Sequence, residues 1–62
     1  MVDHEVQTEG GREYQVRENG GRYLVREIFP GGGASVVGQA SSFADAKAMI
    51  EAHCGRKIKR MK

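Results

Sequence analysis

The chain has 62 residues, a net charge of +2 at neutral pH, and 39% hydrophobic residues. A chain of this length makes one domain and buries only about 60% of the surface that its unfolded form exposes, which excludes a second domain and a thick core. With two tyrosines, two phenylalanines and no tryptophan, the core must come from valines, isoleucines and alanines, and marginal stability or support from an oligomer is expected.

Charge is divided along the chain. Residues 56–62, RKIKRMK, hold five of the ten bases and none of the eight acids, which leaves the preceding residues at −3. The division reads as one domain over residues 1–55 followed by a basic C-terminal tail over 56–62. The single cysteine, Cys54, has no partner for an internal disulfide, which favours a reducing, cytoplasmic setting. The opening residues MVDHEVQTEG carry acids where a secretion signal needs bases, and no apolar run approaches a membrane span, so no membrane association is expected.

Glycine clusters at Gly10-Gly11, Gly20-Gly21 and Gly31 to Gly33 punctuate the first half about every ten residues, a spacing that suits short strands and tight turns. Between them apolar residues alternate: Val2, His4 and Val6, then Tyr14 and Val16, then the denser run YLVREIF at Tyr23 to Phe29. A three-residue loop Glu9-Gly10-Gly11 sets Val6 against Tyr14 and His4 against Val16. For the next hairpin, a turn at Asn19-Gly20 sets Val16 against Tyr23 and Tyr14 against Val25, with Arg12 opposite Glu27. A loop of Asn19-Gly20-Gly21 would instead set Val16 against Leu24 and Tyr14 against Arg26. Matching apolar to apolar prefers the two-residue turn, although it places Arg17 opposite Arg22. The near-duplication GGREYQVRE and GGRYLVRE is then a turn-plus-strand recipe used in two adjacent strands.

Pro30 ends the third strand, and ASVVGQA supplies a short fourth. The period then changes. Ser42 with Asp45 resembles a capping box, and Phe43, Ala46, Met49, Ile50, His53 and Cys54 fall on one side of a helix that ends before Gly55. The expected fold is α+β: an antiparallel three- to four-stranded β-meander with one C-terminal α-helix packed on one face, β-β-β-β-α, in which Phe43 and Ile50 meet Tyr14, Val16, Tyr23 and Val25.

No catalytic, cofactor or metal signature is present. His4, His53 and Cys54 lack the paired spacing of zinc sites, with His4 read as a strand residue at a sheet edge and His53 as a helix C-terminal residue. Cys54 sits in the last helical turn, where the dipole opposes a thiolate. Glu13, Glu18 and Glu27 lie among arginines and read as cross-strand charge partners. The run FPGGGASV lacks the lysine of a phosphate loop and leads into a strand. An enzyme is not expected, and no cofactor or small-molecule substrate is evident.

The segment EYQVRENGGRYLVREI followed by SSFADAKAMIEAH, with SFADAKAMI at the helix start, resembles the arm-site DNA-binding domains of tyrosine integrases over Arg12 to His53. The topology also resembles small bacterial β-meander-plus-helix proteins of unknown function. The first resemblance implies a sheet laid in the major groove, with Gln15, Arg17, Arg22 and Arg26 on the face opposite the helix. Glu5, Glu13, Leu24 and Ile28 share that face, and the two apolar residues argue for a surface covered by another protein or by a second copy.

Two readings follow. The first is a non-enzymatic protein-interaction or self-associating module with Leu24 and Ile28 at its interface. The second is a nucleic-acid-binding module in which Gln15, Arg17, Arg22 and Arg26 are joined by Arg56, Lys57, Lys59, Arg60 and Lys62.

Overall fold

A computed structural model describes residues 2–62. The elements are β1 (Val2–Thr8), β2 (Glu13–Asn19), β3 (Arg22–Ile28), β4 (Ala34–Ala40), α1 (Phe43–Cys54) and β5 (Ile58–Met61). The strands form one antiparallel sheet in the order β4-β3-β2-β1-β5. This is the expected α+β meander with its helix after the first four strands, to which the chain adds a fifth strand.

Each hairpin has a local cause. Between β1 and β2 the three-residue loop Glu9-Gly10-Gly11 is closed by Thr8, whose amide and hydroxyl both donate to the Arg12 carbonyl at 3.1 and 2.8 Å. The resulting register, Val6↔Tyr14 and His4↔Val16, is the expected one. Between β2 and β3 the turn is Gly20-Gly21, which shifts the pairing away from both registers read from the sequence: Val16 faces Val25, Tyr14 faces Glu27 and Asn19 faces Arg22. The two glycines have φ of 60° and 81°. A two-residue turn with positive φ at both positions matches the strand twist and strongly favours glycine there. The shift also separates Arg17 from Arg22, since Arg17 now faces Leu24.

The helix is set by its ends. The Ser42 hydroxyl accepts from the Asp45 amide at 3.1 Å, and Gly55 closes the C-terminus with its amide on the Glu51 carbonyl at 2.9 Å. The helix lies on the sheet face that carries Val6, Tyr14, Val16 and Val25, and these four with Ala46 and Ile50 are the fully buried apolar core. Tyr23, Val37, Phe43, Met49, Ile58 and Met61 pack around it. Phe43 stacks on Tyr23 with centroids 5.8 Å apart and meets the His4 ring at 4.8 Å, so His4 packs under the helix start. No helix among the described residues is long and apolar enough to cross a membrane.

The segment read as a tail continues the sheet. Ile58 pairs with Thr8, Arg60 with Gln7 and Met61 with Val6 on the free side of β1. A register shift between Gln7 and Thr8 makes Lys59 an extra residue, which brings Ile58 and Met61 to the core side although they are three positions apart. Their packing is what orders the basic segment.

Candidate interaction surfaces

The helix covers one face of the sheet and leaves the other open. The registers align three rows on that outer face: Asp3, Arg17, Leu24 and Gln39; Glu5, Gln15, Arg26 and Val36; and Gln7, Glu13, Ile28 and Ala34, with Arg60 beyond Gln7. The rows split the face. Its apolar side chains, Leu24, Ile28, Ala34 and Val36, all stand on β3 and β4, whereas Asp3, Glu5, Glu13, Arg17 and Arg60 gather on β1, β2 and β5. Arg22 and Arg26 are the charged residues of the β3 half.

Leu24 and Ile28 stand on the outer face as expected, but half-buried by their neighbours. Leu24 shares a depression of about 240 Å³ with Arg17, Asn19, Arg22 and Gln39. Ile28 lies beside Glu5, Gln7 and Glu13 around another of about 110 Å³. Val36 is the fully presented apolar residue, 65% exposed. Sequence reasoning missed it because β4 has no clean alternation: a register shift between Val25 and Arg26 inserts Val37 as an extra residue, so Val37 packs on the core while Val36 faces out.

Three of the four strand residues read as groove-facing are already engaged. Arg17 donates to both carboxylate oxygens of Asp3, at 2.9 and 3.3 Å, and this bond holds the Asp3 carboxyl below its ordinary value. Arg26 donates to the Gln15 side-chain oxygen, and its Nε is buried without a partner. Arg22 is exposed.

The basic C-terminal residues are framed by backbone bonds. The Glu9 amide donates to the Lys57 carbonyl at 3.0 Å, the Lys62 amide donates to the Glu5 carbonyl at 2.8 Å, and the Ile58 amide donates to the Glu51 carboxylate at 3.2 Å. A Cβ on Gly10 would come within 3.0 Å of Arg56 Cγ, so the Arg56 stem lies close over the first loop. Arg60 and Lys62 border Glu5 and Gln7, and Lys59 borders Gln7 and Glu13. Bases and acids are interleaved here.

On the covered face the polar groups are matched to each other. Arg12 forms two 2.8 Å bonds to the Glu27 carboxylate, which is nearly buried and held below its ordinary pKa by the guanidinium. The Tyr14 hydroxyl meets His53 Nδ1 at 2.8 Å, and burial raises the tyrosine pKa. Cys54 Sγ sits 3.3 Å from the Arg56 carbonyl and 3.4 Å from its amide nitrogen. No group of three or more His, Cys, Asp or Glu that could hold a metal occurs among the described residues.

The two sheet edges differ in kind. One is β5, four residues long with two bases, flanked by Lys57 and Lys62; the other is β4, seven residues, ASVVGQA, without a charge. Comparison with protein-family models, curated proteins and solved structures yields no match.

Proposed function

We propose that the protein is a non-enzymatic protein-interaction or self-associating module that docks through the β3–β4 half of its outer sheet face. The observation that carries this is the segregation of that face: Leu24, Ile28 and Val36 stand together on the side of the sheet that the helix leaves uncovered. Arg26 stands among them with its guanidinium tied to the Gln15 side chain, and an apolar group with one engaged arginine and a polar surround has the anatomy of a docking surface. The depressions over Leu24 and Ile28, about 240 and 110 Å³, fall below the roughly 300–1,000 Å³ usual for small-molecule pockets. The nearly buried Glu27 and the buried Tyr14 are bonded to Arg12 and His53.

The test uses immobilised chain and the Leu24→Lys and Ile28→Lys variants, with their folds checked by circular dichroism. Capture of the chain itself or of a discrete protein, lost in both variants, supports the reading. Capture of another protein that survives both, or no capture of either kind, contradicts it; self-capture that survives both moves the contact from this face to the neighbouring β4 edge.

A second reading, nucleic-acid binding, is favoured by one observation. Arg60 and Lys62 project from an ordered edge rather than from a frayed terminus, which lowers the entropic cost of aligning them with phosphates. Glu5 beside them, and Glu13 beside Lys59, oppose it.

A further inference from the structure

We infer that β4 is a pairing edge for a second copy of this chain, which adds its own β4 antiparallel about a two-fold axis near Val36 and joins the two sheets into one of ten strands. The inference rests on the interaction-module reading and names its partner. An exposed edge offers unpaired backbone N–H and C=O groups to any strand, and proteins blunt such edges by making them short and by placing lysines or other charges on them. The β5 edge has these devices: it is four residues long, with Lys59 and Arg60 in it and Lys57 and Lys62 beside it. The β4 edge is nearly twice as long, has neither charge nor proline, and presents Val36 at 65% exposure.

The absence of charge permits the chain's own copy as occupant, and the small core favours an oligomer. A two-fold axis at Val36 brings Ala34 to Gly38 against one another and Gln39 and Ala40 against Gly33 and Gly32, so no like charges meet. The nearest guanidinium on the outer face, Arg26, is one strand inward, beside Val36. Its counterpart across the axis would lie three strand spacings away, about 14 Å, beyond the Debye length of about 8 Å at physiological salt. The axis also brings Val36 near its counterpart and joins the two groups of Leu24, Ile28 and Val36 into one apolar band. A 62-residue domain with six fully buried apolar residues is of the size class that gains most from such an extension. The bulge at Val37 is the one protective device on the β4 edge, and its twist confines the pairing to the stretch around the axis; at the two ends of the joined sheet the charged β5 edges, with Asp3 on the length of β1 that β5 leaves unpaired, stop further growth. The assembly therefore closes at two.

Sedimentation velocity of the full chain from about 10 µM to about 1 mM measures the association by mass action. The expected result is a monomer–dimer equilibrium that goes no further than two, weakened at least about tenfold by Val36→Lys and equally by Val36→Glu. Both substitutions sit on an exposed site, and an unchanged circular dichroism spectrum confirms the fold. A wild-type chain that stays monomeric to about 1 mM overturns the inference, while the module reading stands or falls on its capture of another protein. A dimer as tight in both Val36 variants as in the wild type also overturns it. If Leu24→Lys then breaks that dimer, the outer-face reading survives and the edge pairing does not.

Discussion

The hydroxyl of Tyr14 lies 2.8 Å from Nδ1 of His53, with the two rings edge to face, so the middle of the sheet is fastened to the last turn of the helix. The two ends of this bond differ in exposure: Tyr14 is buried and His53 is exposed. Removing the hydroxyl leaves an imidazole that water can satisfy, whereas removing the imidazole strands a buried hydroxyl. Tyr14→Phe is expected to cost about 1 kcal/mol and His53→Ala about 1–3 kcal/mol in urea unfolding. A Tyr14→Phe change more costly than His53→Ala would contradict this arrangement.

Acid should weaken the fold through Glu27 and Asp3. Both carboxyls are held below their ordinary values, 4.5 and 3.8, by bonds from Arg12 and Arg17. A folded pKa below the unfolded one means that the contribution is present above the unfolded pKa and is lost as pH falls through the folded one. Thermal unfolding should therefore show a melting temperature that declines as pH drops below about 4.5, and Glu27→Gln should flatten the decline. An unchanged profile in that variant would remove Glu27 from the account.

At the β2–β3 turn, Gly20 and Gly21 have φ of 60° and 81°. Gly21→Ala should cost about 1–2 kcal/mol, because a Cβ is strained in the left-handed region. Gly20→Asn should be nearly neutral, since asparagine is favoured at the first position of such a turn. Equal costs in chemical denaturation would contradict the assigned turn.

This turn also marks where the sequence was misleading. Matching apolar residues across the hairpin placed Tyr14 opposite Val25. The true partner is Glu27: the Arg12–Glu27 pair that the preferred register set directly across is made diagonally, with the strands shifted by two residues, and a two-residue shift keeps every side chain on its face, so face matching cannot detect it. The β1–β2 register and both helix ends were legible because each depends on local chemistry, the Glu9-Gly10-Gly11 loop, the Ser42 cap and Gly55. The fifth strand was hidden by a bulge: Ile58 and Met61 are three residues apart, a spacing that breaks the period of two, and the bases around them read as a basic tail. Of the candidate site, Leu24 and Ile28 were readable by parity, while Val36 was not, for the same reason of a bulge.

The C-terminal strand separates packing from charge. Ile58→Ala should destabilise the fold by about 2–3 kcal/mol, at the low end for a residue only partly buried. Replacing Lys59, Arg60 and Lys62 with glutamine should leave stability within about 0.5 kcal/mol. If duplex DNA binds at this edge, the same triple change should flatten the slope of log affinity against log salt by up to about 2.7. An unchanged slope would exclude these side chains from phosphate contact.

Amide hydrogen exchange of the wild-type chain, followed by NMR at about 20 µM and about 1 mM, tests most directly whether the β4 side is where another copy docks. At the higher concentration the outward-facing amides of Ser35 to Gln39 should slow at least about tenfold, while those of Lys59 and Arg60 on the opposite edge exchange as before. Exchange in β4 that is independent of concentration, or slowing that appears at β5 instead, would contradict the account.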